Sequence, residues 1–380
     1  MSKFIIELRG VEFENKGAEL MLHSIIQRIR EWDNSVVFVM SPSPKVPTEK
    51  RKKYLIFTKT QFVKYRINFT LLIDLLPAVF LKKYGYVKNS EINVIMDASG
   101  FAFGDKWGAE YASRRLGNHV KKWHTNKKII LLPQAFGPFD KKDLVKVMKK
   151  ILNNVDLLFA RDDKSFDYLN NIEKLDKIFK APDFTNLVKH SIPADFDINE
   201  HEVAIIPNYQ MVNSTALSIQ EYSAFLIKAI SLVKASGKKP YFLIHEGQKD
   251  LDIANYVNNN LDFPINVIVY DNALDIKGVI STACFIICSR FHGVVSALTQ
   301  GVPCITTSWS HKYEMLVDEY NVENSLIKDL KNYNLLEKLV FEYSDPIRNK
   351  ELSTHLLLKA KFFKKESELM WQKVFTVLEN

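Results

Sequence analysis

Short apolar runs recur along the chain, and most stop abruptly in glycine, aspartate or arginine. "KFIIEL" near the start reads as a buried strand. "ENKGAELMLHSIIQRIREW" reads as a loop entering an amphipathic helix, with Leu20, Ile25, Ile26 and Ile29 facing inward. "SVVFVM" is the next strand, so the rhythm is β-α-β, that of a parallel sheet. "INVIMDASGFAFGD", "KKIILLPQAFGPF" and "VDLLFARDD" repeat the pattern, each an apolar run ending in a polar loop. Ligands of open α/β sheets gather outside the carboxyl ends of the strands. These three loops are therefore candidate site loops, contributing Gly100 and Asp105, Gln134 and Gly137, and Arg161.

A composition shift follows at about 182–200, with two prolines and no helical period, and reads as a linker. A second α/β series then runs from "EVAIIPN" through "KKPYFLIHEGQKD", "INVIVYDN" and "ACFIICSRFHG" to "VPCITTSW". A chain of 380 residues exceeds what one hydrophobic core usually organises. The expected fold is α/β, two doubly wound Rossmann-like domains facing a cleft. The first spans residues 1–185, a linker 186–200 and the second domain 201–345. The tail, 346–380, has the apolar spacing of a helix able to cross back to the first domain.

Composition narrows the function classes. Hydrophobic residues make up 47% and charged residues 25%, which excludes disorder. The net charge of +8, from 52 basic and 44 acidic residues, favours anionic partners. The lysines are spread in short groups without interleaved aromatics, so nucleic acid is not an expected partner. Neither GxGxxG nor a P-loop occurs, and HExxH and CxxC are absent. No metal and no cofactor are expected. The three cysteines, Cys284, Cys288 and Cys304, read as thiols in a reducing compartment. "MSKFIIELRG" has too short an apolar run for a secretory signal, so the expected location is cytoplasmic. Residues 67–83, "INFTLLIDLLPAVFLKK", are too short to span a bilayer and are interrupted by Asp74 and Pro77. Their flanks, Lys64, Arg66, Lys82 and Lys83, also suit a helix lying on an anionic membrane at the inner face of the plasma membrane; the other reading packs that helix on its own domain.

The richest chemistry lies in "CSRFHGVVSALTQGVPC". If "GVVSALTQ" is a helix, Arg290 and His292 sit just before its first turn, where unpaired backbone N–H groups and the helix dipole favour an anion. An arginine adds a fork of donors matching carboxylate or phosphate. An imidazole exchanges protons near neutral pH. Gly293 allows close approach. The same pattern also fits an arginine paired with an acidic neighbour and a histidine bonded to a carbonyl. Arg161 likewise reads either as a second anion clamp, from the other domain, or as the partner of Asp162 or Asp163. His245, Glu246 and Asp250 stand at another strand end, and His311 and Lys312 follow the last strand, where a lysine suits a phosphate.

In order, "NKGAELML", "DASGFAFGD", "LLPQAFGPF", "FARDDKSFDYL", "APDFTNLV" and "CSRFHGVVSALTQGVPCITTSWSHKYEML" resemble the polysaccharide pyruvyl transferase family, from about residue 10 to 325. The most specific part is the Arg-x-His-Gly segment with its small-residue helix, Gly-Val-Pro and downstream lysine. The resemblance implies a glycosyltransferase-B type fold and transfer of the pyruvyl group of phosphoenolpyruvate onto two hydroxyls of a cell-surface polysaccharide or its precursor. Phosphate leaves and a cyclic ketal forms. Phosphoenolpyruvate is then a co-substrate, and the other partner is a glycan or lipid-linked oligosaccharide acceptor. By position Arg161 matches the family's "RD" arginine, and Arg290 and His292 its Arg-x-His, associated with donor binding and catalysis. Gly293 and Lys312 join the donor side. Asn15, Gly17, Glu19, Gly100, Asp105, Gln134, Gly137, His245 and Glu246 remain as acceptor or loop candidates. Gly17-Ala18-Glu19 stands where the family pattern has Gly-Asp, and Ser99-Gly100 where it has Gly-Gly. Two alternatives use the same chain: a nucleotide-sugar glycosyltransferase of this fold, and a catalytically silent scaffold in glycan assembly.

Overall fold

The computed structural model describes residues 4–61, 63–64, 67–68, 70–310 and 312–380. Contacts divide the chain into two compact units. The first comprises Met1–Glu14, Met21–Phe184 and Glu366–Asn380, the second Asn15–Leu20 and Thr185–Lys365. The proline-bearing stretch 186–200 thus belongs to the second unit, and the 34-residue helix Pro346–Glu379 contributes to both. The short piece Asn15–Leu20, far from the second unit in sequence, belongs to it by contact.

In the first unit the apolar runs form a parallel sheet. Its order is Ile178–Lys180, Leu157–Ala160, Lys128–Phe136, Val94–Asp97, Ile5–Arg9, Val37–Met40, Ile56–Lys59 and Tyr86–Val87. Strands buried on both faces carry continuous apolar runs, as in VIMD and LLFA, where every residue is buried. The chain builds outward from Ile5–Arg9 to Tyr86–Val87. It then returns to lay Val94–Asp97 on the other side of Ile5–Arg9, in parallel register (Leu8 with Met96). This reversal of strand order is a topological switch point. Of the residues expected on the inner face of the first helix, Lys16–Trp32, Leu20, Ile25, Ile26 and Ile29 are all buried. Trp371 is fully buried against Phe184, and the Trp32 and Phe375 rings stack at 5.2 Å, so the end of the C-terminal helix belongs to this core.

The second unit repeats the plan with Val267–Val269, Pro240–Ile244, Val203–Ile206, Phe285–Cys288, Cys304–Thr307 and Leu326–Ile327, again parallel. Alternation sorts the strand residues into two cores. Ala204, Ile206, Tyr241 and Leu243 pack with the helices Ala273–Thr282 and Phe291–Leu298. Val203, Ile205, Phe242 and Ile244 pack with Ile219–Ala235, a helix opened by a Ser218–Glu221 capping box. The switch point lies between Val203–Ile206 and Phe285–Cys288, paired Ile206 to Cys288.

Residues 67–83 are not one helix. Thr70–Ile73 and Ala78–Lys83 are separate, because Pro77 has no N–H to continue a helix and instead precedes the second one. Arg66 lies outside the described residues. Among those described, no helix is long and apolar enough to cross a membrane.

Candidate active site

The helix after Phe285–Cys288 begins earlier than its small-residue pattern suggests. Arg290 is extended (φ −102°, ψ 123°) and Phe291–Leu298 is helical, so His292 and Gly293 lie within the first turn. The segment opens at the carboxyl end of the central strands, on the switch point of the second sheet. A polar network pins it there. Asn208, just past Val203–Ile206, donates from Nδ2 to Ser289 O (2.6 Å), and Tyr313 Oη donates to the same carbonyl (2.8 Å). Tyr222 Oη accepts from Asn208 N (3.1 Å) and lies 2.8 Å from Ser289 Oγ, which pairs with Thr307 Oγ1 at 2.5 Å. Burial pushes both phenols up, so they stay protonated and donate.

Arg290 points its fork at carboxylates of its own unit. Nε donates to Asp250 Oδ2 (2.8 Å), Nη2 to Asp250 Oδ1 (2.6 Å) and Nη1 to Glu246 Oε2. These bonds occupy three of the five N–H groups a guanidinium carries. Asp250 is fully buried and also accepts from Tyr209 N (2.9 Å). Burial by itself would lower the Arg290 pKa. The Asp250 carboxylate, then Glu246, outweigh it, and the net direction is upward. The guanidinium is therefore charged and oriented by the strand-end loop that carries His245 and Glu246.

The third component of the site is Asn15–Leu20, the start of the helix Lys16–Trp32. Asn15 Oδ1 accepts from Ala18 N (2.9 Å), while Nδ2 donates to Glu246 Oε1 (2.9 Å). Lys16 Nζ donates to Glu19 Oε2 (2.8 Å) and to Asp271 O (2.6 Å). Glu19 is buried and serves this anchor. Gly17 lies directly against His292: a Cβ there would sit 2.6 Å from Cε1 and 2.8 Å from Cγ of the imidazole, and closer still to Nδ1. At Gly293 a Cβ would meet Cys288 Sγ at 2.6 Å. His245 is buried behind the helix start, with Cδ2 3.6 Å from that same Cβ position. Neither of its ring nitrogens has a hydrogen-bond partner among the described residues. Burial, reinforced by Arg290 and His292, pushes its pKa well below the usual imidazole range. Lys312 Nζ stands over Phe291 (4.7 Å) and Trp309 (4.8 Å), beside the helix start. His311 lies outside the described residues.

The structure thus brings together Asn15, Gly17, His245, Glu246, Arg290, His292, Gly293 and Lys312. Glu19 belongs to the same unit, where it anchors Lys16, and the remaining described candidates belong to the first unit. There Arg161 Nη1 lies 3.6 Å from Asp183 Oδ2. Asp162, not Ser165, caps the helix Asp163–Ile172 by accepting from Ser165 N (2.8 Å), and Asp163 pairs with Lys180. Asp105 accepts from Asp140 N (2.7 Å) and fixes the loop after Gly137, whose φ of +79° and contact with the Tyr168 ring require glycine. Gly100 also has positive φ (+68°). Gln134 is buried with Nε2 3.4 Å from Asp97 Oδ1. Asp97, at the switch point of the first sheet, is fully buried. It accepts from Arg115 Nε (3.1 Å) and from Ser99. Arg115 lies in a π-helical turn, Ser113–Gly117, and sequence reasoning missed it because neither periodicity nor spacing links it to Asp97. Asn208, Tyr222 and Tyr313 were missed likewise; the polar Asn208 directly past an apolar strand was the available signal. Among the described residues no three His, Cys, Asp or Glu side chains gather as metal ligands.

Residues 15–311 match the sequence model of the polysaccharide pyruvyl transferases. The chain belongs to the polysaccharide pyruvyl transferase family, and so to a family of transferase enzymes. The matched span opens on Asn15 and contains Arg161, Glu246, Asp250, Arg290 and His292. Among curated proteins none matches this family member. Solved structures share its fold. The UDP-GlcNAc 2-epimerase from Neisseria meningitidis bound to UDP-GlcNAc is similar with a TM-score of 0.60 and 11% identity, over 99% of this chain and 100% of that one. Anabaena Alr3699/HepE in complex with UDP and glucose gives 0.58 and 10%, over 99% of both chains. The S. aureus MnaA–UDP structure gives 0.57 and 11%, over 99% and 97%. At such identities the likeness is one of fold, the glycosyltransferase-B type with two Rossmann-like sheets. Function has to come from the site.

Proposed function

We propose that this pyruvyl transferase family member moves the pyruvyl group of phosphoenolpyruvate onto two hydroxyls of a glycan in a cell-surface polysaccharide or its precursor. The convergence of Gly17, Glu246, Arg290 and His292 on the first turn of the helix Phe291–Leu298 carries the reading. A compact, multiply charged anion matches a helix N-terminus flanked by Lys312 and by the N–H groups of Arg290 not spent on Asp250 and Glu246.

In the proposed sequence the methylene carbon of phosphoenolpyruvate takes up a proton and C2 becomes electrophilic. One sugar hydroxyl adds to C2 and loses its proton. The C2–O bond to phosphate breaks with its electron pair, and the second hydroxyl closes the ring as its proton passes to the departing phosphate. The products are a methyl-bearing cyclic ketal and inorganic phosphate. His292 moves a proton in this sequence, being an imidazole held against Gly17 in the first turn of the helix Phe291–Leu298.

The test is thermal unfolding with phosphoenolpyruvate, followed by phosphate release with candidate glycans and mass analysis of the product. Phosphoenolpyruvate should raise the unfolding midpoint, because a ligand that binds the native state alone shifts the equilibrium. Stabilisation by uridine diphosphate and not by phosphoenolpyruvate would replace this reading with nucleotide-sugar transfer.

A further inference from the structure

At one edge of the first sheet the chain exposes apolar side chains beside basic ones. The edge strand Tyr86–Val87 pairs with Ile56–Lys59, and each is preceded by a short helix: Ala78–Lys83 before the first, Thr48–Lys53 before the second. Helix Ala78–Lys83 and its approach leave Leu75 and Val79 each 79% exposed and Phe80 49% exposed, burying only Leu81 on the helix itself. Leu55 and Tyr84, which follow the two helices, are 68% and 61% exposed. Helix Thr48–Lys53 buries nothing and carries Lys50, Arg51, Lys52 and Lys53. Lys83 adds to them, and Glu49 is the one acidic residue on either helix.

Apolar side chains held in water side by side mark an interaction surface. The basic helix says what covers it. A second copy of this face would bring two sets of lysine and arginine together, and like charges would oppose the apolar contact. A surface that accepts leucine, valine and phenylalanine while presenting negative charge satisfies both halves. We infer that this edge, centred on Leu75, Val79, Phe80 and the helix Thr48–Lys53, docks on an anionic lipid bilayer. The side chains of Leu75, Val79 and Phe80 enter the headgroup and acyl boundary, and the exposed Lys52, Lys53 and Lys83 pair with lipid phosphates. The inference does not depend on which group the enzyme transfers.

Flotation of the full chain with phosphatidylcholine vesicles, with and without phosphatidylglycerol, tests it. The protein should float with the anionic vesicles, remain unbound with the neutral ones and be released by high salt. The triple variant Leu75→Ser, Val79→Ser, Phe80→Ser should lose about tenfold or more in partitioning with an unchanged unfolding midpoint, as should Lys50→Glu, Lys52→Glu, Lys53→Glu. Phe263→Ser, at an exposed apolar residue of the second unit, should bind as the parent does. Failure of the parent to float with anionic vesicles overturns the proposal, as does equal flotation of either triple variant. A concentration-dependent dimer abolished by the serine variant, without vesicle binding, overturns it in favour of self-association.

Discussion

The imidazole of His292 fills the space that any side chain at Gly17 would need, with Cε1 2.6 Å and Cγ 2.8 Å from the Cβ position. Gly17 lies in the first turn of a helix and has an ordinary negative φ, so backbone conformation does not require glycine there. Contact does. In Gly17→Ala, helix propensity would favour alanine by about 1 kcal/mol, but the methyl must displace the ring. Overpacking of this kind costs about 1–3 kcal/mol. The expected outcome is no net stabilisation in denaturant titrations together with a large loss of phosphate release from phosphoenolpyruvate. An alanine variant that is stabilised and fully active would remove the Gly17–His292 contact from the account.

Asp250 and Glu246 hold Arg290 unequally. Asp250 is sealed and bonds two of the guanidinium nitrogens, while Glu246 is partly exposed and is steadied by Asn15. Removing one member of a buried pair leaves an uncompensated charge, at a cost of about 3–5 kcal/mol. Asp250→Ala should therefore lower stability by about that amount, and Glu246→Gln by about 1 kcal/mol. Chemical denaturation of the two variants checks the order; equal effects would contradict it.

His245 gives a pH signature. Its folded pKa is depressed by burial and by the neighbouring Arg290 and His292. Above about pH 6.5 it is neutral in both folded and unfolded chains and contributes no pH dependence. Below that, the unfolded chain takes up a proton the folded one refuses, so stability falls as pH falls. The contribution reaches at most about 1.4 kcal/mol per pH unit. Denaturation midpoints between about pH 7 and 5 should fall less steeply for His245→Leu than for the parent. Parallel slopes would show that this imidazole protonates freely in the native state.

His292→Ala should fold as the parent does, because the side chain is only half-buried and its loss removes no residue of the apolar cores. Losing a proton carrier costs about 10²–10⁴-fold in rate. Phosphate release should fall by that factor while phosphoenolpyruvate still raises the unfolding midpoint. Unchanged kinetics would take His292 out of the chemistry.

Much of the site was legible because parallel strands advertise their carboxyl ends. Apolar runs that stop in polar loops located Glu246, Asp250, Arg290 and His292, and the family pattern added Asn15 and Gly17. What filled the arginine's fork was not legible. An Arg-x-His before a helix fits both an anion clamp and a paired arginine, and Asp250 and Glu246 lie 40 and 44 residues away along the chain. Asp97 and Arg115 show the same limit over a shorter span: neither was singled out, because the π-helical turn that aims Arg115 at Asp97 has no signature in apolar spacing.

The chain by itself determined where strands and helices form and which polar residues end them, because those depend on local periodicity and on residues a few positions apart. Strand order and parallel register are set by how two layers of helices bury the faces of each sheet. That packing laid Phe285–Cys288 beside Val203–Ile206, with Pro240–Ile244 on the far side. It thereby delivered Asp250 and Glu246 to Arg290. Only tertiary structure carried Asn15–Leu20 into the second unit, where the absence of a side chain at Gly17 makes room for His292.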